Sequence, residues 1–497
     1  MEAKRLTGNP TDPIETATQN SVAQEAPPRK KTKIQADPDS SDDEIPEYMI
    51  NTSNNGSNAI LKSHYLDTIN RQVLDFDSEK VCLVTLSNAN VYCCLVCGKY
   101  FQGKSSNSPA YLHSIDQGHY VYLNLSTEKC YILPENYEIG TESISDILQV
   151  LNPKYSIKDI EPVSYDLRRS EYRVGYVGLD NISKNDYSNV VLQLLSHIEP
   201  IRDFYINLTQ KPKLTDVLTR RAPLNTKLAL LVRKLWSKYL FRNHVSPHEF
   251  LQYVSLITKN TFPITEQRSP KKFLVWLLNS LNHELVKSTK IGVLSQTLQG
   301  NIEVTKTTIA TEQVQSQVRF VEQKDTKVAE NHKFWIIQLD LPPHSVFDET
   351  KIQEVELEAL LMKYNGHRTT MVSSSQSATY NLIAPLPPYI LIHIDRKLED
   401  GQTRGNPTVV KFPSKIDFGK YTKDATTELN YELVANIRHE LTTGLEIDHK
   451  DDKQNWSIDL KKDDISWVTL NNSELGSCER ELLFLNENYI QLWKRCA

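Results

Sequence analysis

Four side chains within 26 residues have the types and spacing of a metal site. Cys94 and Cys97 form a Cys-x-x-Cys pair, and His113 and His119 follow with five residues between them. Two thiolates and two imidazoles make the closed tetrahedral ligand set of structural zinc, which suits soft and borderline donors better than hard oxygen ligands. The alternative is that the histidines lie on the surface and the cysteines are small core residues. The spacing favours one structural zinc ion.

The other cysteines do not extend this pattern. Seven cysteines in 497 residues are too few for a disulfide framework. Cys82 and Cys130 are therefore predicted to be buried thiols. Cys82 is followed three residues later by Thr85 rather than by a second cysteine, so a second zinc knuckle is not expected. The sequence alone leaves open whether Cys82 joins the first site.

The Cys-x-x-Cys and His-x5-His pairs together resemble the zinc-finger UBP domain. Catalytic members of that family use the finger to hold the free carboxyl terminus of ubiquitin, with an aromatic platform before the knuckle and an arginine after its glycine. Here Lys99 follows Gly98, and no tryptophan occurs between Leu61 and Tyr165. Lysine offers a charge but not the bidentate fork of arginine. The resemblance therefore implies a protein-docking finger, and ubiquitin binding is not expected.

A second candidate for chemistry is the stretch from Gly178 to Gln193, which carries Asp186 between Asn185 and Tyr187. It resembles the segment that opens a ubiquitin-specific protease domain, where a nucleophilic cysteine stands at the position of Asp186. A thiolate is polarisable and available near neutral pH, whereas a carboxylate is a poor nucleophile for isopeptide cleavage. Asn181, at the position that helps to stabilise the oxyanion in active members, is retained. The stretch predicts the fold and argues against the reaction.

The general base of the active family also has no counterpart. The resemblance places Leu445 where the family has its catalytic histidine, and Glu446 where it has an aromatic residue. His439 matches a non-catalytic family position, and His449 lies in a charged stretch typical of a solvated loop. A nucleophile needs a base within hydrogen-bond reach. The resemblance thus implies a pseudo-deubiquitinase that lacks both catalytic groups.

Further short segments resemble the same protease family and occur in its order along the chain. The family's thumb helix is resembled by Phe273–Asn282, and its central strand by Leu386–Arg396. The strand before its catalytic histidine is resembled by Tyr431–His439, and its final strand by Tyr489–Trp493. Each match is short, but together with the stretch from Gly178 to Gln193 they are spread in the family's order over more than 300 residues. The resemblance implies a papain-like fold with a helical thumb and a β-rich palm and fingers.

The hydrophobic periodicity predicts helices first and strands afterwards. Apolar residues at three- and four-residue spacing predict helices over 190–197, 224–241, 247–258 and 271–286, and alternation predicts strands from 303 onward. This order is typical of an α+β protein. We expect a disordered tail over residues 1–60, a small zinc-bound α/β finger over 61–139, a linker over 140–164 and a protease-like domain over 165–497.

Composition excludes several classes of protein. The net charge is −5 and the pI about 6.3, so the chain as a whole is not a polyanion binder, and RNA contact is expected to be indirect at most. No apolar run is long enough to span a membrane. The tail carries Arg29, Lys30, Lys31 and Lys33, which indicate either a nuclear-localisation signal or a solvated charge run. Localisation in the nucleus is expected.

A zinc-finger UBP domain followed by a protease domain without nucleophile and base resembles the inactive ubiquitin-specific-protease homologues of the spliceosomal tri-snRNP. That family implies a nuclear splicing factor that promotes joining of the U4/U6 and U5 particles through contacts with snRNP proteins. Two alternatives remain at this point: a ubiquitin-binding adaptor outside splicing, and an atypical deubiquitinase that uses Asp186. Composition and periodicity do not distinguish the three.

Overall fold

The computed structural model describes residues 64–314, 317–322, 327–343, 353–373, 376–397, 405–423, 428–442 and 453–496. The predicted tail over residues 1–60 lies outside this part of the chain, as do Leu445, Glu446 and His449. Among the described residues, none of the helices combines the length and the apolar character that crossing a bilayer requires.

The amino-terminal described part is a small antiparallel sheet with one helix against it. Its elements are β1 Val91–Cys94, β2 Tyr100–Gln102, α1 Pro109–Gln117, β3 Val121–Asn124, β4 Cys130–Ile132 and β5 Tyr137–Ile139. The strands lie in the order β2-β1-β3-β4-β5. Between β1 and β2 the chain turns at Gly98, whose φ is +75° and whose added Cβ would lie 2.4 Å from the Val73 carbonyl oxygen. Only glycine fits this turn without strain.

The core of this finger continues beyond β5. A further helix, α2 Ser145–Leu151, places Ile147 and Leu151 in the same apolar cluster as Val91 and Leu123. Ile144, just before the helix, is fully buried there as well. The first part of the predicted 140–164 linker thus packs as part of the finger.

The middle of the chain is helical. Its helices are α3 Asp186–Ser196, α4 Glu199–Ile206, α5 Pro212–Arg221, α6 Pro223–Leu235, α7 His248–Ile257, α8 Pro270–Thr289 and α9 Val293–Leu298. All four helices predicted from periodicity are present, but the one predicted over 224–241 ends at Leu235. Every residue of α3 is buried, which makes it the central helix of this half.

The rest of the described chain is rich in strands. Short strands flank the helices, namely β6 Val163–Tyr165, β7 Glu171–Arg173, β8 Gly178–Leu179 and β9 His244–Val245. One sheet contains β10 Gly300–Val314, β11 Gln317–Glu322, β12 Val328–Phe334, β15 Thr370–Ser373 and β16 Gln376–Ile383. Between its strands in sequence lie β13 Ile336–Asp340, β14 Glu354–Glu356 and α10 Leu357–Leu361.

The largest sheet packs against the helical half and contains the carboxyl-terminal strands. These are β17 Tyr389–Asp395, β19 Lys415–Asp417, β20 Asn430–Thr442, β21 Lys453–Lys461, β22 Trp467–Asn471, β23 Glu474–Cys478 and β24 Glu487–Arg495. One further strand in this part of the chain, β18 Val409–Lys411, pairs with β14 instead. The order in this palm sheet is β13-β17-β24-β20-β21-β22-β23, with β19 beside β20. Its β13–β17 pair is parallel and the other pairs are antiparallel.

Charged side chains join the finger to the helical half. The Lys234 ammonium, on α6, is paired with the Asp77 carboxylate, and its side chain is only 7% exposed. The second Asp77 oxygen accepts a hydrogen bond from the Ser246 backbone N–H at 3.0 Å. On the same side Glu249 lies 3.2 Å from the Lys80 ammonium and 3.0 Å from that of Lys227. The finger is therefore seated on α6 and α7.

The Lys234–Asp77 pair makes this junction testable. We expect Asp77→Ala to lower the free energy of unfolding by about 3 kcal/mol, because it leaves a buried ammonium without its counter-ion. Urea unfolding measures the change, and Asp67→Ala, on an exposed residue of the same finger, is the matched control. Adding Lys234→Met to Asp77→Ala should recover part of the loss. Equal stability of the Asp77→Ala and Asp67→Ala proteins would show that the pair does not hold the junction.

Candidate functional site

The four predicted zinc ligands meet at one end of the finger sheet. Cys94 ends β1, Cys97 lies in the turn after it, His113 is on α1, and His119 follows Gly118, which ends that helix with φ +65°. Their ligand atoms all lie within 4.8 Å of one another. Cys97 Sγ is 3.4 Å from His113 Nε2, and His113 Nε2 is 3.3 Å from His119 Nδ1.

These separations fit a tetrahedral zinc ion. Bonds of about 2.0 to 2.3 Å place neighbouring ligand atoms roughly 3.3 to 3.8 Å apart. A hydrogen bond from Cys94 lowers the pKa of the Cys97 thiol to about 4, and the same contact raises that of Cys94. The Phe101 ring stacks on His113 at 4.1 Å and holds the imidazole in place. A bound ion would link β1, its turn, α1 and the approach to β3.

Cys82 and Cys130 lie outside this cluster, and both are fully buried. Cys82 Sγ accepts hydrogen bonds at 3.4 Å from the backbone N–H groups of Val84 and Thr85. The Thr85 hydroxyl, at the place of the second cysteine, instead donates to Gln102 Oε1 at 2.8 Å. The loop from Cys82 to Thr85 is thus closed by a hydrogen bond. For Cys130, burial raises the pKa of the thiol to about 12.

Asp186 begins α3 and is buried between the helical half and the palm sheet. Its Oδ2 accepts hydrogen bonds from Gln267 Nε2 at 2.5 Å and from the Trp456 backbone N–H at 3.1 Å. Its Oδ1 is buried without a hydrogen-bond partner. Burial raises the pKa of Asp186 to about 6, although the backbone N–H groups of Tyr187 and Trp456 and the Gln267 amide lower it. The carboxyl group is therefore held by neutral partners in a poorly solvated position.

The histidines of the palm sheet are engaged elsewhere. His439 Nδ1 donates to Glu487 Oε2 at 2.8 Å, and its ring packs on that of Trp456 with centroids 5.0 Å apart. His393 Nδ1 donates to the Tyr489 carbonyl oxygen at 3.1 Å, and burial lowers its pKa to about 4. No described histidine contacts the Asp186 carboxyl group, so in the described part of the chain Asp186 has no base to pair with.

Asn181 is used to shape the turn before α3. Its Oδ1 accepts a hydrogen bond from the Asn185 backbone N–H at 3.1 Å. Asn185 in turn accepts from the Ile182 N–H at 2.7 Å and donates to Asn189 Oδ1 at 2.9 Å. These bonds hold the backbone of the turn that leads into α3. The asparagines therefore have a structural role that does not depend on an oxyanion.

Sequence reasoning missed the turn between β22 and β23, which closes against this segment. The Leu179 N–H donates to the Asn472 carbonyl oxygen at 3.0 Å, and Asn189 Nδ2 donates to Asn472 Oδ1 at 3.3 Å. Beside them Asn455 Nδ2 donates to Asn471 Oδ1 at 2.8 Å. A cue was present, since two asparagines between alternating apolar residues are typical of a hairpin turn. Nothing local indicated what the turn would contact.

Two family models match the chain in the order that the resemblance predicted. The family described as "Ubiquitin carboxyl-terminal hydrolase" matches residues 177–493, and "Zn-finger in ubiquitin-hydrolases and other protein" matches residues 80–144. The match to both models, together with the helices and sheets described above, confirms the predicted α+β fold class. A zinc-binding finger is part of this family architecture.

Similar proteins match most of the chain. "Probable mRNA-splicing protein ubp10" of Schizosaccharomyces pombe is 35% identical over 465 residues, covering 88% of this chain and 89% of that protein. "Ubiquitin carboxyl-terminal hydrolase 39" of Homo sapiens is 36% identical over 468 residues, with coverage of 87% and 79%. The solved structure "Crystal structure of an essential yeast splicing factor" is 29% identical with a TM-score of 0.68, covering 87% of this chain and 100% of that one.

Proposed function

This chain belongs to the ubiquitin carboxyl-terminal hydrolase family, and on that premise we propose that it is a non-catalytic pre-mRNA splicing factor. The observation that carries the loss of catalysis is Asp186. A buried carboxyl group at the nucleophile position, held by the Gln267 amide and a backbone N–H, offers neither a thiolate nor a paired base. The family resemblance places Leu445 where active members have the histidine that acts as general base, which also supports this proposal.

The role in splicing is supported by the names of similar proteins. A fission-yeast relative is named as an mRNA-splicing protein, and the similar solved structure is of a splicing factor. We assign to this chain the promotion of tri-snRNP assembly from the U4/U6 and U5 particles, in the nucleus. It would act by contacts with snRNP proteins, and contact with RNA would be indirect at most.

The finger has a structural part in this proposal. One zinc ion bound by Cys94, Cys97, His113 and His119 would stabilise a docking module that is seated on α6 and α7. In the finger, Lys99 follows Gly98. A lysine ammonium cannot make the paired hydrogen bonds that an arginine guanidinium makes to a terminal carboxylate. Partner recognition, rather than capture of a ubiquitin tail, is therefore the finger's proposed role.

Cell depletion and a ubiquitin probe test the two halves of the proposal separately. Cells depleted of the protein should lose assembled tri-snRNP on glycerol gradients, and both wild type and Asp186→Ala should restore it. The purified protein should form no adduct with ubiquitin vinyl sulfone, since a probe of this type reacts with an activated thiolate. A catalytically competent family member serves as the positive control.

Different results would favour the alternatives. Cleavage of a ubiquitin–fluorophore substrate by wild type but not by Asp186→Ala would identify an atypical deubiquitinase. Ubiquitin binding detected by NMR shifts, with tri-snRNP levels unchanged on depletion, would identify a ubiquitin-binding adaptor instead. Either result would overturn the proposed function.

A further inference from the structure

A tight turn of the finger, over residues 82–86, carries three exposed aliphatic side chains. It precedes β1 and borders β2, where the Leu83 N–H donates to the Tyr100 carbonyl oxygen at 3.0 Å. Leu83, Val84 and Leu86 are 57%, 67% and 77% exposed, whereas Cys82 is fully buried. Single exposed aliphatic residues are ordinary on a protein surface, but three in one tight turn form an apolar patch. Patches of this kind mark interaction sites.

Hydrogen bonds hold the 82–86 turn in one conformation. The Leu86 N–H donates to the Cys82 carbonyl oxygen, and the Cys82 N–H donates to that of Ser87, both at 2.9 Å. The contacts of Cys82 Sγ and of the Thr85 hydroxyl described above close the turn further. Gln102 Nε2 also donates to Ser87 Oγ at 3.4 Å. The aliphatic side chains are therefore presented by a fixed backbone, which lowers the ordering cost of binding a partner.

The same hydrogen-bonded turn occurs a second time in the finger, with a different residue at its left-handed position. After β1, the Gly98 N–H donates to the Cys94 carbonyl oxygen at 2.8 Å, across the same four-residue separation as Leu86 and Cys82. Gly98 has φ +75°, and Leu86 has φ +56°. This conformation suits glycine or asparagine and costs free energy for a bulky side chain. Among the non-glycine residues of positive φ in the described part of the chain, Leu86 is the one aliphatic residue.

Leucine at position 86 is unfavourable for the free protein in two respects. Its side chain is exposed, so it contributes little to the core of the finger. Its backbone conformation would cost less free energy with asparagine or glycine. Backbone strain and exposed apolar surface at one residue are accounted for when that side chain becomes buried in a complex.

The turn is electrically neutral, which limits the class of partner. No Asp, Glu, Lys, Arg or His occurs from Val81 to Gly98. Before this stretch, the Lys80 ammonium pairs with Glu249 at 3.2 Å, and after it Lys99 is a single charge. Nucleic acid is bound by basic surfaces, and segments that lie on membranes combine apolar side chains with clusters of lysine or arginine. A neutral apolar turn is complementary instead to an apolar groove on another protein.

We propose that the 82–86 turn inserts Leu83, Val84 and Leu86 into an apolar groove of a snRNP protein. The inference rests on the proposed function and deepens it, since it names the docking surface of the finger and the chemistry of the surface that it meets. The three side chains would lose most of their exposure in such a groove, and this burial of apolar surface would supply binding free energy.

Photo-crosslinking in nuclear extract identifies what covers the turn. The photoreactive residue benzoylphenylalanine is incorporated at Val84 of the full-length protein. In a control protein it is incorporated at Ile465, which is 86% exposed between β21 and β22. The probe at Val84 should form an adduct with a snRNP protein, identified by mass spectrometry, that the probe at Ile465 does not form. An adduct with RNA, with lipid or with a second copy of this chain, or no adduct, would overturn the proposal.

Variants of the turn separate docking from folding. Leu83→Asn/Leu86→Asn should reduce co-sedimentation of the protein with snRNPs on glycerol gradients at least fivefold. Ile465→Asn, the same kind of change in another exposed turn, should leave co-sedimentation unchanged. Leu86→Asn alone should raise the melting temperature of the purified protein, because asparagine tolerates positive φ. The free protein and its complex should therefore respond in opposite directions.

The remaining outcomes distinguish this inference from the proposed function. Equal co-sedimentation of wild type and the double variant would overturn docking by the turn and leave the splicing role standing. Reduced co-sedimentation together with a lower melting temperature of Leu86→Asn would also overturn it, because the turn would then act by supporting the fold. A wild-type protein that does not co-sediment with snRNPs would overturn the proposed function itself, and this inference with it.

Discussion

Cys97→Ser is expected to remove zinc from the protein and to unfold the finger. Metal binding in a small zinc domain contributes folding free energy on the order of 10 kcal/mol, so the sheet β1–β5 should not survive its loss. The helical half has an apolar core of its own, built around α3, and should remain folded. We therefore expect an early thermal transition for the finger and a later one for the rest, together with loss of hydrogen-exchange protection over residues 91–139.

Elemental analysis by mass spectrometry supplies the direct measurement, with one zinc per chain expected for wild type. Cys130→Ala is the matched control, because it removes a buried sulfur from the same sheet but lies outside the ligand cluster. That variant should lose some stability and keep its zinc. A wild-type protein without zinc, or a Cys97→Ser protein with an unchanged melting profile, would contradict the prediction.

Asp186→Asn is expected to stabilise the protein at neutral and alkaline pH. Burial raises the pKa of Asp186 from its ordinary value near 4 to about 6, so the folded state binds this proton more tightly than the unfolded state. Stability is therefore lost as pH rises from about 4 to about 6, and a cost of about 3 kcal/mol persists above that window. Asparagine keeps an oxygen to accept from Gln267 and the Trp456 N–H without carrying the charge.

Urea unfolding of wild type and Asp186→Asn across pH 4 to 8 measures the effect. The gain should be near 3 kcal/mol at pH 8 and should vanish towards pH 4, where both proteins are neutral at this position. Asp216→Asn, on an exposed residue of α5, should change stability little at any pH. A destabilised Asp186→Asn protein at pH 8 would mean that the ionised carboxylate is stabilising, and the account of the site given above would be wrong.

The parts of this structure that local sequence could predict are those whose determinants lie close together in the chain. All four metal-ligand positions fall within 26 residues, so type and spacing were enough to group them. The helices were predictable because their apolar residues recur at three- and four-residue spacing. The carboxyl end of α6 was predicted wrongly. Apolar residues continue beyond Leu235, but the helix ends there and the Trp236 ring packs against the Arg202 guanidinium at 4.5 Å.

What could not be predicted depends on contacts between distant segments. Asn189 and Asn472, 283 residues apart, share a hydrogen bond that closes the degenerate site. Asp77 and Lys234, 157 residues apart, seat the finger. The periodicity of α2 shows that one face is buried but not which core receives it, so its packing in the finger was not anticipated. The sequence did not indicate that Gln267 and Trp456 would bind Asp186, since an amide or a backbone N–H can donate to any buried carboxyl group.

The strand order of the palm sheet has a consequence for the newly made chain. β24 pairs with β17 on one side and β20 on the other, although a ribosome releases it after both. Until β24 emerges, the facing edges of β17 and β20 are open, and apolar residues such as Ile390 and Ile437, fully buried in the finished sheet, lack their central partner. Open apolar edges are prone to pair with other chains. The nascent protein is therefore open to wrong strand pairing late in its synthesis, from the emergence of β17 Tyr389–Asp395 until β24 Glu487–Arg495 is available.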